Sequence, residues 1–155
     1  MNDKGIVQVG GAFLLSQIGF HAAYEFGVLL SQVDLNPKDA GILRMLGATP
    51  GLTQQALSEK LKIFPSRLVQ LLDSLEKRGL IIRKKSLSDR RSHSLELTEA
   101  GISTLANVGQ ITKRLEEGLF QGLTPDELAG LIQVLQKIVV NQGLGHGAHP
   151  AFRNS

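Results

Sequence analysis

The sequence predicts a mainly helical α+β chain, in which a short helix pair and a two-stranded basic hairpin form a winged helix-turn-helix flanked by N- and C-terminal dimerisation helices. Three observations carry this. Leu68, Leu71, Leu72 and Leu75 recur at three- and four-residue spacing behind Pro65, the mark of a helix with one apolar face. Directly after it, Ile81-Ile82 and Leu95-Leu97 bracket a polar, basic loop from Arg83 to Arg91, as two strands of a hairpin would. The positive charge is gathered on the same stretch: residues 62–91 hold nine Lys or Arg against three acids, while 1–61 hold four against five and 92–155 hold four against six. A local excess of six cations on a helix and hairpin is the footprint of a phosphate-facing surface, because each cation that meets a phosphate releases a counterion.

Bulk composition bounds the rest. A chain of 155 residues with 42% apolar and 20% charged residues suits an ordinary globular domain with a sizeable core. Cysteine is absent, which excludes disulfides, thiolate metal sites and cysteine redox sensing, and fits a cytoplasmic setting. Residues 11–30 are apolar but are interrupted by Gln17, His21 and Glu25, so they read as an amphipathic or buried helix rather than a membrane span or signal peptide. No membrane partner is expected.

In chain order, residues 1–10 are expected to fray, and Ala12 to Val33 to form a long helix. Its apolar residues (Phe13, Leu14, Ile18, Ala22, Phe26, Leu29, Leu30, Val33) form a stripe too wide for one neighbour, so a second copy of the chain should cover the excess. Asn36-Pro37 begins a second helix, with Asn as N-cap and Asp39 in the first turn, carried by Ala40, Leu43, Met45 and Leu46. Thr53 caps a third, TQQALSEKL, and Lys62-Ile63-Phe64 turns into the Pro65 helix, giving the helix-turn-helix order. Gly79 ends that helix behind Lys77 and Arg78. Thr98 caps a long helix that closes before Gly122, and Thr124-Pro125-Asp126-Glu127 is a capping box for the last. The tail, with three Gly, one Pro and no periodicity, is expected to be loose. The expected units are 1–35 (N-terminal dimerisation helix), 36–98 (the winged helix-turn-helix), 99–141 (C-terminal dimerisation helices) and 142–155 (tail).

Pro65, Ser66, Arg67, Val69 and Gln70 lie on or near the face away from the leucines, at the helix end that enters a major groove in such readers. Arg67 suits a guanine, Gln70 an adenine and Ser66 a phosphate or base. Lys84, Lys85 and Ser86 suit backbone contacts, and Arg90 and Arg91 a narrow minor groove. Asp89, an anion, suits a positioning role. His21 with Glu25, or His146 with His149, has the spacing of a metal pair, but no third ligand converges, so these and His93 are read as ordinary histidines and neither metal nor cofactor is expected. There is no GxSxG, P-loop, HExxH or Cys-His pair, and no enzyme activity is expected.

With this order in hand, the chain resembles the MarR family of bacterial transcription regulators over about residues 11–141. The resemblance is carried by LTQQALSEKL and PSRLVQLLDSLEKRGLI, by SLSDRRSHSLELTEAG with its Asp-Arg-Arg at 89–91 and Leu-Thr-x-x-Gly, and by the flanking helices. It implies a sequence-specific reader of double-stranded DNA acting as a homodimer on a pseudo-palindromic operator. One wing arginine would insert into the minor groove, held by an ion pair to Asp89. It implies too a repressor whose affinity falls when a small aromatic or phenolic effector binds, for which Phe13, Phe20, His21, Tyr24 and Arg44 are the candidates. In one departure, Phe64 stands where the family has a polar cap, so the helix start is expected to lean on Pro65 and a packed phenyl ring. The rival expectation from another class is a winged-helix protein-interaction module, its basic wing on an acidic partner.

Overall fold

The computed structural model describes residues 9–85, 92–144 and 152. Among the described residues six helices and three strands follow one another: α1 (Gly11–Ser31), α2 (Pro37–Ala48), β1 (Leu52–Thr53), α3 (Gln54–Leu61), α4 (Pro65–Lys77), β2 (Ile81–Lys85), β3 (His93–Leu97), α5 (Glu99–Leu119) and α6 (Pro125–Asn141). The helix starts expected to carry polar caps hold in detail. The Asn36 side chain accepts from Lys38 N and Asp39 N while the Asp39 carboxylate accepts from Asn36 N. Thr53 accepts from Ala56 N, and Thr124 and Glu127 cap each other reciprocally.

The hairpin is larger than expected. Arg83, Lys84 and Lys85 belong to β2 rather than to a loop, and β1 adds a third strand, so the antiparallel order is β1-β3-β2. Leu52 pairs with Leu95 in one direction and Arg83 with Leu95 in the other. A two-residue strand after Pro50-Gly51 has no periodicity of its own. It forms because β3 offers a free edge, to which Gly51 N also donates through Leu95 O.

The core sits between α2, α3, α4 and the sheet. Ile42, Leu43 and Leu46 of α2, Leu57 and Leu61 of α3, Leu68, Leu72 and Leu75 of α4, and Ile81 and Leu95 of the sheet are buried together. Of the leucine stripe on α4, only Leu71 stays partly exposed. The outer helices contribute less: Leu30 from α1, Val108 and Ile111 from α5, and no buried residue from α6. Within the tail, Phe152 is 2% exposed in this same core, a packed position that the composition of residues 142–155 does not announce.

Two junctions fix the reader on its support. Thr98 accepts from Gly101 N at 2.9 Å, donates its hydroxyl to Gly79 O at 2.6 Å, and its N–H reaches Leu80 O at 3.1 Å. A Cβ at Gly101 would lie 3.0 Å from the Leu80 carbonyl carbon and closer still to its oxygen. The Leu-Thr-x-x-Gly run is thus a physical requirement: the threonine ties the end of the sheet to α4 and α5, and the glycine lets α5 press on the backbone. On the other side, Arg78 leaves the end of α4 and meets Asp39 at 3.1 Å and the Asp34 carbonyl.

Candidate nucleic-acid interface

The turn between α3 and α4 is built tightly. Lys62 takes a left-handed conformation (φ 54°), Ile63 N donates to Ser58 O at 3.2 Å, and the buried Ser58 hydroxyl donates back to Ile63 O at 2.8 Å. Ile63 is thereby turned into the core, and the chain leaves it in an exposed run from Phe64 to Arg67 that begins α4. Of the expected groove-facing residues, Pro65, Ser66, Arg67 and Gln70 are exposed and Val69 is half-buried. They form the outer, N-terminal end of a helix whose inner face is locked by three leucines, which is the geometry in which a helix can be presented to a groove without deforming. Phe64 overturns its expectation. It is the N-cap, makes no side-chain capping bond, and is 76% exposed, so no packed phenyl ring supports the helix start. Pro65 at the first position, with backbone bonds from Arg67 N and Leu68 N to Phe64 O, carries that start alone.

The structure also divides the basic residues by role. Arg83, on the inner face of β2, reaches Asp73 at 2.7 Å and Glu76 at 2.8 Å on α4, and its guanidinium lies 3.4 Å from Val69 O. It straps the wing strand to the recognition helix and cancels two carboxylates there. Arg78 is committed to Asp39, and Lys84 pairs diagonally across the sheet with Glu96 at 2.6 Å. Lys84 must therefore exchange one anion for another to contact a phosphate. Arg67, Lys62 and Lys85 are exposed cations on this side. Ser86, Asp89, Arg90 and Arg91 lie outside the described residues. Sequence reasoning overlooked the Arg83 strap and the Asp39–Arg78 pair, which join residues 10 and 39 positions apart.

The five residues expected to line an effector site do not converge within the chain. Phe13, Phe20 and Tyr24 are exposed on α1, Phe20 at 79%. His21 lines a groove of about 480 Å³ between α1 and α5, together with Glu25, Leu29, Arg114 and Leu115. Arg44 borders a separate cavity of about 50 Å³ with Phe26, Ala40 and Val108, large enough for little more than a water. Beside His21 and Glu25 stands Arg114, a cation where a metal would need a third donor, and no group of three metal-ligating side chains occurs among the described residues. His93 faces a different groove, against α3, and His146 and His149 lie outside the described residues.

A short sheet, a helix-turn-helix with its recognition face exposed, and a strand that begins a basic wing together define a winged helix-turn-helix DNA-binding regulator. Comparison with known proteins agrees. The model of the MarR family matches residues 33–92. The transcriptional repressor CouR, solved bound to a 23-mer DNA duplex, is 32% identical, with a TM-score of 0.74 over 90% of this chain and 99% of that one. A Thauera aromatica protein named for transcriptional regulation of the hcr operon is 29% identical over 133 residues, 81% of this chain and 80% of the relative. A mutant of Escherichia coli MarR in complex with operator DNA shares the fold at 23% identity, TM-score 0.71, over 83% of this chain and 92% of that one. The chain belongs to the MarR family of transcriptional regulators.

Proposed function

We propose that this regulator is a homodimeric, ligand-responsive repressor in the cytoplasm, reading a pseudo-palindromic operator with α4 in the major groove and the wing along the flanking backbone. The observation that carries the reading is the exposed N-terminal end of α4, rigid from below and flanked by the exposed cations Arg67 and Lys85, which pair with no acid among the described residues. In this assignment Arg67 and Gln70 read base edges, Ser66 and Lys85 hold phosphates, and Arg83 sets the angle between helix and wing. The wing residues Arg90 and Arg91 would extend the contact into the minor groove, with Asp89 orienting them.

The dimer is supported by what each protomer leaves uncovered. Ile18, Phe20 and Tyr24 of α1 and Ile132, Val134 and Val140 of α6 are exposed large apolar residues, on helices that flank the reader. By length and composition alone α1 could also cross a bilayer. We assign its apolar surface to a partner protomer, because α6 shows the same uncovered character and twofold symmetry matches a palindromic site. Effector control rests on the α1–α5 groove, whose volume suits a small molecule and whose His21, Arg114 and leucine walls suit an aromatic one with a polar group. A ligand there would bias the spacing of the two readers by bearing on the helices that hold them apart.

The test is selection from a random duplex library, followed by a salt series on the enriched sequence. An inverted repeat should emerge. Lys85→Ala should lower the slope of log affinity against log salt by about one, and Arg67→Ala should relax the preference at one position per half-site. Sequence-blind binding with unaltered slopes in both variants would overturn the reading.

A further inference from the structure

We propose that Phe64 is a specificity-determining residue, its phenyl ring packing on the methyl group of a thymine in the operator's major groove. This rests on α4 being the DNA-reading helix and adds a side chain and a base identity to that reading.

Among the described residues, the exposed aromatic side chains fall into two places. Phe13, Phe20 and Tyr24 stand on α1, within the apolar surface assigned to the partner protomer. Phe64 stands apart from them, at the tip of the reader, between buried Ile63 and the exposed Pro65-Ser66-Arg67. The fold makes no use of its ring. The position is an N-cap in extended conformation (φ −64°, ψ 139°), where Ser, Thr, Asp or Asn would satisfy a free N–H of the first turn, and Phe64 makes no such bond. Its phenyl group is left in water, 76% exposed, where it gains nothing from burial.

The chemistry of the groove selects the occupant. A phenyl ring can neither donate to a phosphate nor pair with the polar edges of guanine, adenine or cytosine. The apolar group that a B-form major groove presents is the C5-methyl of thymine, which phenylalanine suits. Phe64 precedes Arg67 by three residues, a rise of about 4.5 Å along a helix, against about 3.4 Å per base step. The thymine should therefore lie one or two base pairs from the base that Arg67 reads.

The experiment uses the duplex enriched by the wild-type protein. Each thymine is replaced singly by deoxyuridine, which removes only the methyl, and affinity is measured for wild type, Phe64→Ser and Phe64→Leu. In wild type one thymine per half-site should show a loss of about fourfold, the factor for burying one methyl-sized group. Phe64→Ser, which restores a capping hydroxyl and so keeps the helix start, should lose that dependence while retaining every other; Phe64→Leu should keep part of it. Equal responses of wild type and Phe64→Ser at every thymine would overturn the proposal while leaving α4 as the reader. If no duplex is enriched at all, the reading beneath it fails and the proposal falls with it.

Discussion

Gly101→Ala should be severely destabilising, although alanine favours a helix by about 1 kcal/mol over glycine. Gly101 lies in the first turn of α5, buried against the backbone at the entry to β2. The new Cβ would stand 3.0 Å from the Leu80 carbonyl carbon and 3.4 Å from Leu97 Cβ, with the Leu80 oxygen nearer than either. Backbone cannot rotate away as a flexible side chain can, so α5 or the Leu80 peptide must move by about an ångström, at the 1–3 kcal/mol typical of overpacking. That shift stretches the Thr98 N–H bond to Leu80 O and the Thr98 hydroxyl bond to Gly79 O, each worth about 1 kcal/mol. Set against the propensity gain, the net loss is about 2–4 kcal/mol, a drop of roughly 4–16 °C in melting temperature for a chain of this size. Urea unfolding followed by far-ultraviolet circular dichroism, at one fixed protein concentration because the midpoint of any self-associating protein depends on it, measures this. Gly109→Ala is the control: it is mid-helix with nothing within 4 Å of its Cβ, and should be neutral or stabilising by up to about 1 kcal/mol. If Gly101→Ala matched wild type within about 0.5 kcal/mol while Gly109→Ala behaved as stated, the account of the α5 junction would be wrong.

Other substitutions address the reader and the outer helices. Ser58→Ala removes the buried hydroxyl that donates to Ile63 O, and should cost about 1–3 kcal/mol in urea unfolding, since that carbonyl keeps no equivalent partner. Arg83→Met cuts the strap to Asp73 and Glu76; both acids are well exposed, so stability should fall by only about 1 kcal/mol. DNA affinity should fall further than that, and adding Asp73→Asn with Glu76→Gln should recover part of it, as measured by fluorescence anisotropy. Phe20→Glu, at a site 79% exposed in the protomer, should shift sedimentation velocity toward monomer with the unfolding of the reader unchanged; an undisturbed dimer would remove Phe20 from the interface.

The helix starts were legible in the sequence because they are local chemistry: Asn36-Pro37, Thr53, Thr98 and Thr124 each satisfy N–H groups within three residues of themselves. The leucine period of α4 and the exposed residues opposite it were legible for the same reason, since a period of 3.6 assigns faces before any partner is known. The concentration of charge on residues 62–91 marked the helix and hairpin as a basic surface, but its division did not follow from the sequence. Arg78 and Arg83 look like further DNA cations in the chain, and only folding brings Asp39, Asp73 and Glu76 within reach of them. The third strand, the burial of Phe152 and the exposure of Phe64 were likewise decided by tertiary structure. Each depends on whether a distant segment leaves an edge open, a space to fill or a surface uncovered. The sequence by itself determined which segments are helices and which face of each is apolar. Which cations remain for DNA, and which aromatic stays in water, was decided when those faces met, because an ion pair or a packed ring is a property of two places in the chain.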